Sequence, residues 1–458
     1  MATASETFAR FVSEITLDRI PPSVLATSKL VFLDIIGVAL AASRSESGRI
    51  AIALAHSLDG KPASQVIGSA LRTSPTSAVI SNATLAHALD YDETLEEGII
   101  HAGCCVVTTA LAVGEACGAS GRSVLEAAAA GFEVMFQMGV SAPGCFHARG
   151  FHPTAITAPF GAAAVAGRLY GLTAEQLVHA FGIAGSQSSG IIEYLADGSW
   201  TKQFHAGWSA HAGIIASMLA RHGFHGPRTV LEGAHGVFSA FAATEGLRLE
   251  RLYDIGKEWH LPKVVFKLYP CGSIAHPYID CALQLRKESD IRLDDIDRIV
   301  CRTHEGPVPR LWEPLDMKRQ PPTPYAAKFS IPYCVAAGLV KGRVSLEEFS
   351  EQSIQDPATL AVAHKVGYEV DPSLDYPRHF SGHVKVIMKD GQVIERNQPH
   401  ARGSIEAPIA PEEIELKFRH NAGLVIEPSK VERILDIVRS LEREPDLSRL
   451  SPVLAGMV

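Results

Sequence analysis

The chain has 458 residues, 47% of them hydrophobic, a formal net charge of -8 and a pI near 6.2. Such a length and apolar content suit two or three packed domains, and the acidic balance argues against nucleic acid or an anionic membrane as the main partner. The eight cysteines at 104, 105, 117, 145, 271, 281, 301 and 334 contain no CxxC pair; they read as buried reduced thiols and exclude an iron–sulfur site, which needs several closely spaced Cys ligands.

Taken in order, the chain opens with an amphipathic helix on which Phe8, Phe11, Val12 and Ile15 share a stripe, with Thr3 and Glu6 as a capping box. No basic region followed by an apolar one precedes it, and the longest apolar runs are broken by Gly, Asp or Lys. A cytoplasmic chain without a membrane span is the expectation. A helix over about Val24 to Ala42 is apolar nearly all round and should be buried. Ser74 and Pro75 start a helix that runs to Asp90. An acidic segment follows, with Asp92, Glu93, Glu96 and Glu97, and the chain then turns at His101 into the apolar run Cys104 to Ala112. Ser123 with Glu126, and Thr173 with Gln176, read as caps of two further helices. Gly223 closes a helix running from Trp208. Ala- and Gly-rich stretches such as GAAAVAG and EAAAAGFE let helices approach closely. This half therefore reads as a helical domain.

The pattern changes near Leu261. VVFKLYPCG reads as a strand entering a loop, Cys271 to Lys287 as a helix, Ile296 to Thr303 as a half-buried strand and Tyr325 to Lys341 as a helix. HVKVIMK and QVIER flank Asp390-Gly391 as a β-hairpin. After Pro411 the helical pattern returns. The expected fold class is mainly α with a smaller α+β domain: a discontinuous all-helical domain over 1–261 and 401–458, and an α+β lid domain over 262–400.

No Gly-rich nucleotide loop follows a strand, and no GxSxG elbow occurs. HGFH, His222 to His225, sits beside Gly and Pro and reads as a surface turn. What remains is a set of cations at helix starts. His101 precedes the Cys104 run, His152 precedes an Ala/Gly-rich helix, and Lys202 and His205 precede another. Lys267 and His276 lie in VVFKLYPCGSIAH, with Asp90 as a nearby carboxylate. Cations clustered in a low-dielectric site bind carboxylates and stabilise a carbanion formed beside one. A near-neutral His can move the proton, and Asp90 could orient such a His.

These segments resemble the MmgE/PrpD family, which contains 2-methylcitrate dehydratase, cis-aconitate decarboxylase and iminodisuccinate epimerase. LDIIGVALAAS at Leu33, HALDYDET at His87, HAGCCVVTTALAVGE at His101 and GFHPTAITAPFGAAAVAG at Gly150 occur in the family's order. DGSWTKQFHAGWSAHAG at Asp197, TVLEGAHGVFSAF at Thr229, KLYPCGSIAHPYID at Lys267 and AKFSIPY at Ala327 follow. Glu93 stands where the family usually has a second Asp, Ala102 where it has Pro, and Phe329 where the cis-aconitate decarboxylases carry Tyr. LEEGII lacks the dehydratases' longer Trp-containing insertion.

The resemblance implies a helical domain and an α+β lid with the active site between them, no metal or organic cofactor, and a homodimer. It implies His101, His152, Asp90 and Lys202 as catalytic residues and Lys267, His276, Thr94 and Tyr269 as substrate-binding residues. The expected activity is that of a lyase on a small di- or tricarboxylic acid. The alternatives are an epimerase of a carboxylate substrate and a non-catalytic carboxylate-binding protein.

Overall fold

The computed structural model of the chain describes residues 2–456. It is mainly helical, with a smaller mixed α/β unit. The first unit comprises the chain up to Ile192, Thr201–Val264 and the chain from Ala410. The second comprises Glu193–Trp200 and Val265–Ile409. Glu193–Trp200 interrupt the helical unit because they pack on the other one. The Tyr194 ring is 6.3 Å from that of Phe329, and a Cβ on Gly198 would lie 2.9 Å from that of Ala326.

The first unit packs long helices at close quarters. Where Thr201–Arg221 crosses Pro153–Leu169, a Cβ on Gly213 would lie 2.6 Å from the Pro159 carbonyl oxygen, so only glycine admits this approach. The helix Pro22–Ala42 is long and apolar enough to cross a membrane, but 72% of its most apolar window is buried within the fold. It also carries a charge: Asp34 ion-pairs with Lys417 of Pro411–Gly423 at 2.6 Å, both side chains 5% exposed or less. Lys417 also lies 3.8 Å from the Tyr91 ring centroid and donates to the Tyr91 carbonyl. Two short strands, β1 (Ser64–Gln65) and β2 (Arg72–Thr73), pair antiparallel.

The capping boxes at Thr3 and Thr173 are present. The helix Gly121–Val140, however, is capped by Ser120, whose Oγ accepts from the Ser123 amide. Glu126 instead accepts from the Leu17 amide and pairs with Arg122 and Arg168. Ser120→Ala should therefore cost about 1 kcal/mol in urea denaturation. An equal loss in Ser123→Ala and none in Ser120→Ala would contradict this cap.

In the second unit, β3 (Ile296–Thr303) lies centrally in a four-stranded sheet. It pairs in parallel with β4 (Val366–Val370) and antiparallel with β5 (Gly382–Met388). β5 continues to the edge strand β6 (Val393–Gln398). Gly391 (φ 88°) makes the expected Asp-Gly turn between them. Val384 and Val386 of β5 join a core with residues of the helices His276–Glu288 and Ile331–Lys341.

Two expectations change here, and one strand was not foreseen. Val264 to Gly272 forms no strand: Val264 to Lys267 are all buried and Pro270 cannot donate to a ladder. The helix expected over Tyr325 to Lys341 is two, Pro324–Ala327 and Ile331–Lys341, because Pro332 opens the second under a Ser330 cap. β4, VGYEV, is short, contains Gly and pairs with a strand over sixty residues earlier, so no local pattern announces it.

Candidate active site

Four imidazoles of the first unit meet where four helix ends converge. The helix Pro75–Ala88 ends just after His87, whose ring is fully buried. Leu89 closes it, and Asp90 takes a left-handed conformation (φ 51°) that Asp tolerates better than most residues. Asp90 thus leaves the helix that was expected to carry it. The chain crosses Asp92, Glu93 and Thr94, returns through a bridge between Leu95 and Ile100, and presents His101 just before the helix Gly103–Cys117. His152 is the N-cap residue of Pro153–Leu169. A bridge between Phe151 and Ile191 holds it, and its amide donates to the Gly190 carbonyl at 2.9 Å. Thr201–Arg221 starts one residue before Lys202, so Lys202 lies in its first turn and His205 is its fifth residue, neither of them ahead of it.

The His87 ring centroid lies 5.1 Å from that of His101 and 5.5 Å from that of His152, on which it stacks at 13°. His152 lies 5.5 Å from His205. The hydrogen bonds set tautomers. His101 Nδ1 lies 2.8 Å from the Glu93 carbonyl oxygen and 3.0 Å from Thr94 Oγ1. A carbonyl only accepts, so Nδ1 carries the proton and the neutral ring keeps its lone pair on Nε2. The His101 amide donates to Thr154 Oγ1 at 3.0 Å, tying the turn to the next helix. His87 Nδ1 faces Asp92 Oδ2 at 2.7 Å. His152 and His205 meet Nδ1 to Nδ1 at 3.3 Å, an arrangement in which one nitrogen must accept.

Burial drives the His152 pKa well below its ordinary value, assisted by the fields of His205, Lys202, His87 and His101. Burial, His87 and Lys202 push His205 down to about 4. Both rings are therefore neutral near pH 7 and able to accept a proton. Lys202 is 4% exposed and ion-pairs with Asp90 Oδ1. Asp90, expected to orient a histidine, thus balances the lysine, and the carboxylate on the histidine belongs to Asp92. Glu93 is fully buried; burial, Asp92 and Asp34 push its carboxyl up to about 8.

Of the expected residues, Asp90, Thr94, His101, His152 and Lys202 lie in this unit and line the cluster or pair with its members. His87 and Asp92 are not among the expected site residues, and His205, expected only as a cation at a helix start, has no expected role. His87 and Asp92 occur in the quoted segment, and their spacing of five becomes a contact only because the helix ends between them. His87, Asp92 and Cys104 each offer a ligand atom within 4.8 Å of the others, so they are the residues here that could hold a metal ion. Their contacts show a hydrogen-bonded His–Asp pair beside a thiol that donates to the His101 carbonyl and whose pKa burial pushes well up.

The remaining candidates are in the second unit. Lys267 is fully buried. His276 begins the helix His276–Glu288, its ring edge-on to Tyr269 at 5.1 Å. The Tyr269 hydroxyl donates to Asp280 Oδ1 at 2.6 Å, and burial and Asp280 push its pKa up. The hydroxyl expected to bind substrate is thus engaged with Asp280. HGFH lies just past the helix Thr201–Arg221, its His222 exposed and His225 stacked on His179 at 4.6 Å, so the pair is split.

The sequence matches the MmgE/PrpD N-terminal domain over residues 6–250 and the MmgE/PrpD C-terminal domain over 269–443. It is 28% identical to the cis-aconitate decarboxylase of Homo sapiens over 470 residues, covering 100% of this chain and 95% of that protein. Against the cis-aconitate decarboxylase of Aspergillus terreus, identity is 27% with 97% and 94% covered. The 2-methylcitrate dehydratase of Salmonella typhimurium matches at 24% over 61% of this chain and 59% of its own. The chain belongs to the MmgE/PrpD family and is an enzyme of its lyase type.

Proposed function

We propose that the protein is a cofactor-independent lyase acting on a small di- or tricarboxylic acid through a carbanion-like intermediate beside a carboxylate. The observation that carries this reading is the cluster of the buried His87, His101 and His152 and the half-buried His205 with Lys202. A carboxylate entering it can hydrogen-bond to the Lys202 ammonium, whose charge Asp90 already balances, in a low-dielectric surrounding. Negative charge that develops on the neighbouring carbon is stabilised by the same field. In dehydration a neutral imidazole takes the proton from that carbon, the C–O bond breaks with its electrons on oxygen, and an imidazolium protonates that oxygen so that water departs. When carbon dioxide departs instead, its bonding electrons stay on the carbon and an imidazolium returns a proton to it. His101, through Nε2, and His152 fill these roles in our reading, and Lys202 holds the carboxylate. Lys267 and His276 are assigned carboxylate binding on the chemistry of their side chains. Relatives that match nearly the whole chain include cis-aconitate decarboxylases, which makes cis-aconitate the first substrate to try.

The test is proton NMR in deuterated buffer with chelator-treated protein and, separately, cis-aconitate, citrate, 2-methylcitrate and iminodisuccinate. A new alkene signal or loss of carbon dioxide is expected, and Lys202→Ala or His152→Ala should sharply reduce it. Deuterium entering recovered substrate without another product would make the enzyme an epimerase. Binding with no chemical change on any of the four would favour a non-catalytic carboxylate-binding protein.

A further inference from the structure

A second cluster of metal-ligating side chains lies in the α+β unit and takes no part in the site above. β5 and β6 pair antiparallel with Gly382 opposite Gln398, so the chain entering β5 and the chain leaving β6 emerge at the same end. His379 stands three residues before β5 and His400 two residues after β6. Their rings meet edge-on at 5.3 Å. Glu406, further along the outgoing loop, places Oε1 4.0 Å from His379 Nδ1. One ligand atom from each of the three lies within 4.8 Å of the other two.

We propose that His379, His400 and Glu406 form a binding site for a divalent transition-metal ion of the zinc class, clipping together the two loops that flank the β5–β6 hairpin. Three observations support it. First, the 4.0 Å separation is too long for a hydrogen bond. It is close to the roughly 3.3 Å between ligands on a tetrahedral ion with bonds of about 2.0–2.2 Å, a contraction that loop side chains can supply. Second, His400 Nδ1 is shielded from solvent and has no hydrogen-bond partner, which is costly unless something occupies it. Third, the far side of the His379 ring is already backed. Nε2 faces Asp375 Oδ2 at 3.9 Å, also beyond hydrogen-bond length, while the His379 amide donates to the Asp375 carbonyl at 2.8 Å and keeps that carboxylate within reach of the ring. A carboxylate behind a ligating imidazole is the usual outer shell that fixes ring orientation at a metal. Two imidazoles and one carboxylate select zinc, cobalt or nickel over magnesium and calcium, which prefer all-oxygen sets.

The experiment uses untagged, chelator-stripped, full-length protein loaded with Zn2+ and desalted, with metal counted by mass spectrometry. One ion per chain is expected, with a melting temperature raised by a few degrees by Zn2+ and not by Mg2+. H379Q/H400N, with unchanged circular dichroism, should lose both effects. Glu406→Gln, at a surface position, should weaken retention and gives a second readout should the double variant not fold. Failure of the wild type to retain zinc would overturn the proposal. So would zinc that survives in H379Q/H400N and is lost only with Cys104→Ser, since that would place the ion at His87, Asp92 and Cys104.

Discussion

His101→Gln should lower kcat by roughly 10²–10⁴-fold, the usual contribution of one positioned acid or base, while far-UV circular dichroism stays unchanged. The ring is oriented before substrate arrives. Its Nδ1 proton is committed to the Glu93 carbonyl at 2.8 Å with Thr94 Oγ1 beside it, so the lone pair of the neutral ring is on Nε2. Glutamine can restore the polar contact but cannot carry a proton in and out. Thr94→Val removes only one of the two contacts on Nδ1 and should cost less than His101→Gln. The pH profile adds an independent check. His152 is buried and surrounded by His205, Lys202, His87 and His101, which disfavour its charged form. A neutral, competent His152 therefore persists below pH 6.5, and the acidic limb of kcat/KM should fall on that side of the free-imidazole value. Near-normal turnover in His101→Gln, measured on the substrate found by NMR, would remove His101 from the reaction.

How much of this was legible without coordinates depends on the range of the signal. Thr3 and Thr173 announce their helices because a cap is a contact across three residues. Asp390-Gly391 announces its hairpin for the same reason. His101, His152 and Lys202 are legible as polar residues beside apolar helices, where a core has no use for them. Their partners are not. Asp90 meets Lys202 across 112 residues, and His152 meets His205 across 53. Asp92 reaches His87 only because the helix stops at Ala88. A helix running to Asp90 would set His87 and Asp90, three residues apart, on one face, and the left-handed turn at Asp90 removes that face. Ser120 was passed over for Ser123 because both residue types suit a cap, and only the backbone decides which one flanks the first turn. β4 was missed because a parallel partner carries no local pattern.

Glu93 makes the strongest stability prediction. The helix Gly103–Cys117 begins at Ala102, which has no side chain to cap it. Glu93 reaches across instead, and its Oε1 accepts from the Gly103 amide at 2.6 Å. A Cβ on residue 103 would lie 2.5 Å from Glu93 Oε2, so glycine there makes the contact possible. Such a cap usually favours a charged carboxylate. Here full burial dominates, and with Asp92 and Asp34 nearby it lifts the pKa from 4.5 to about 8. The sign follows from proton counting. Between these two values the folded state holds a proton that the unfolded state has released, so stability is complete below about pH 4.5 and is lost as pH rises towards 8. At ~1.4 kcal/mol per pH unit, that interval corresponds to a loss on the order of 5 kcal/mol. Glu93→Gln keeps an acceptor for Gly103 and cannot ionise. Urea denaturation should therefore find the variant within about 1 kcal/mol of the wild type at pH 5, as for a near-isosteric exchange that keeps the hydrogen bond, and several kcal/mol more stable at pH 8.5. Parallel pH curves for the two proteins would mean that Glu93 is ionised in the fold. The turn carrying the carbonyl that orients His101 would then rest on a buried carboxylate rather than on a neutral acid.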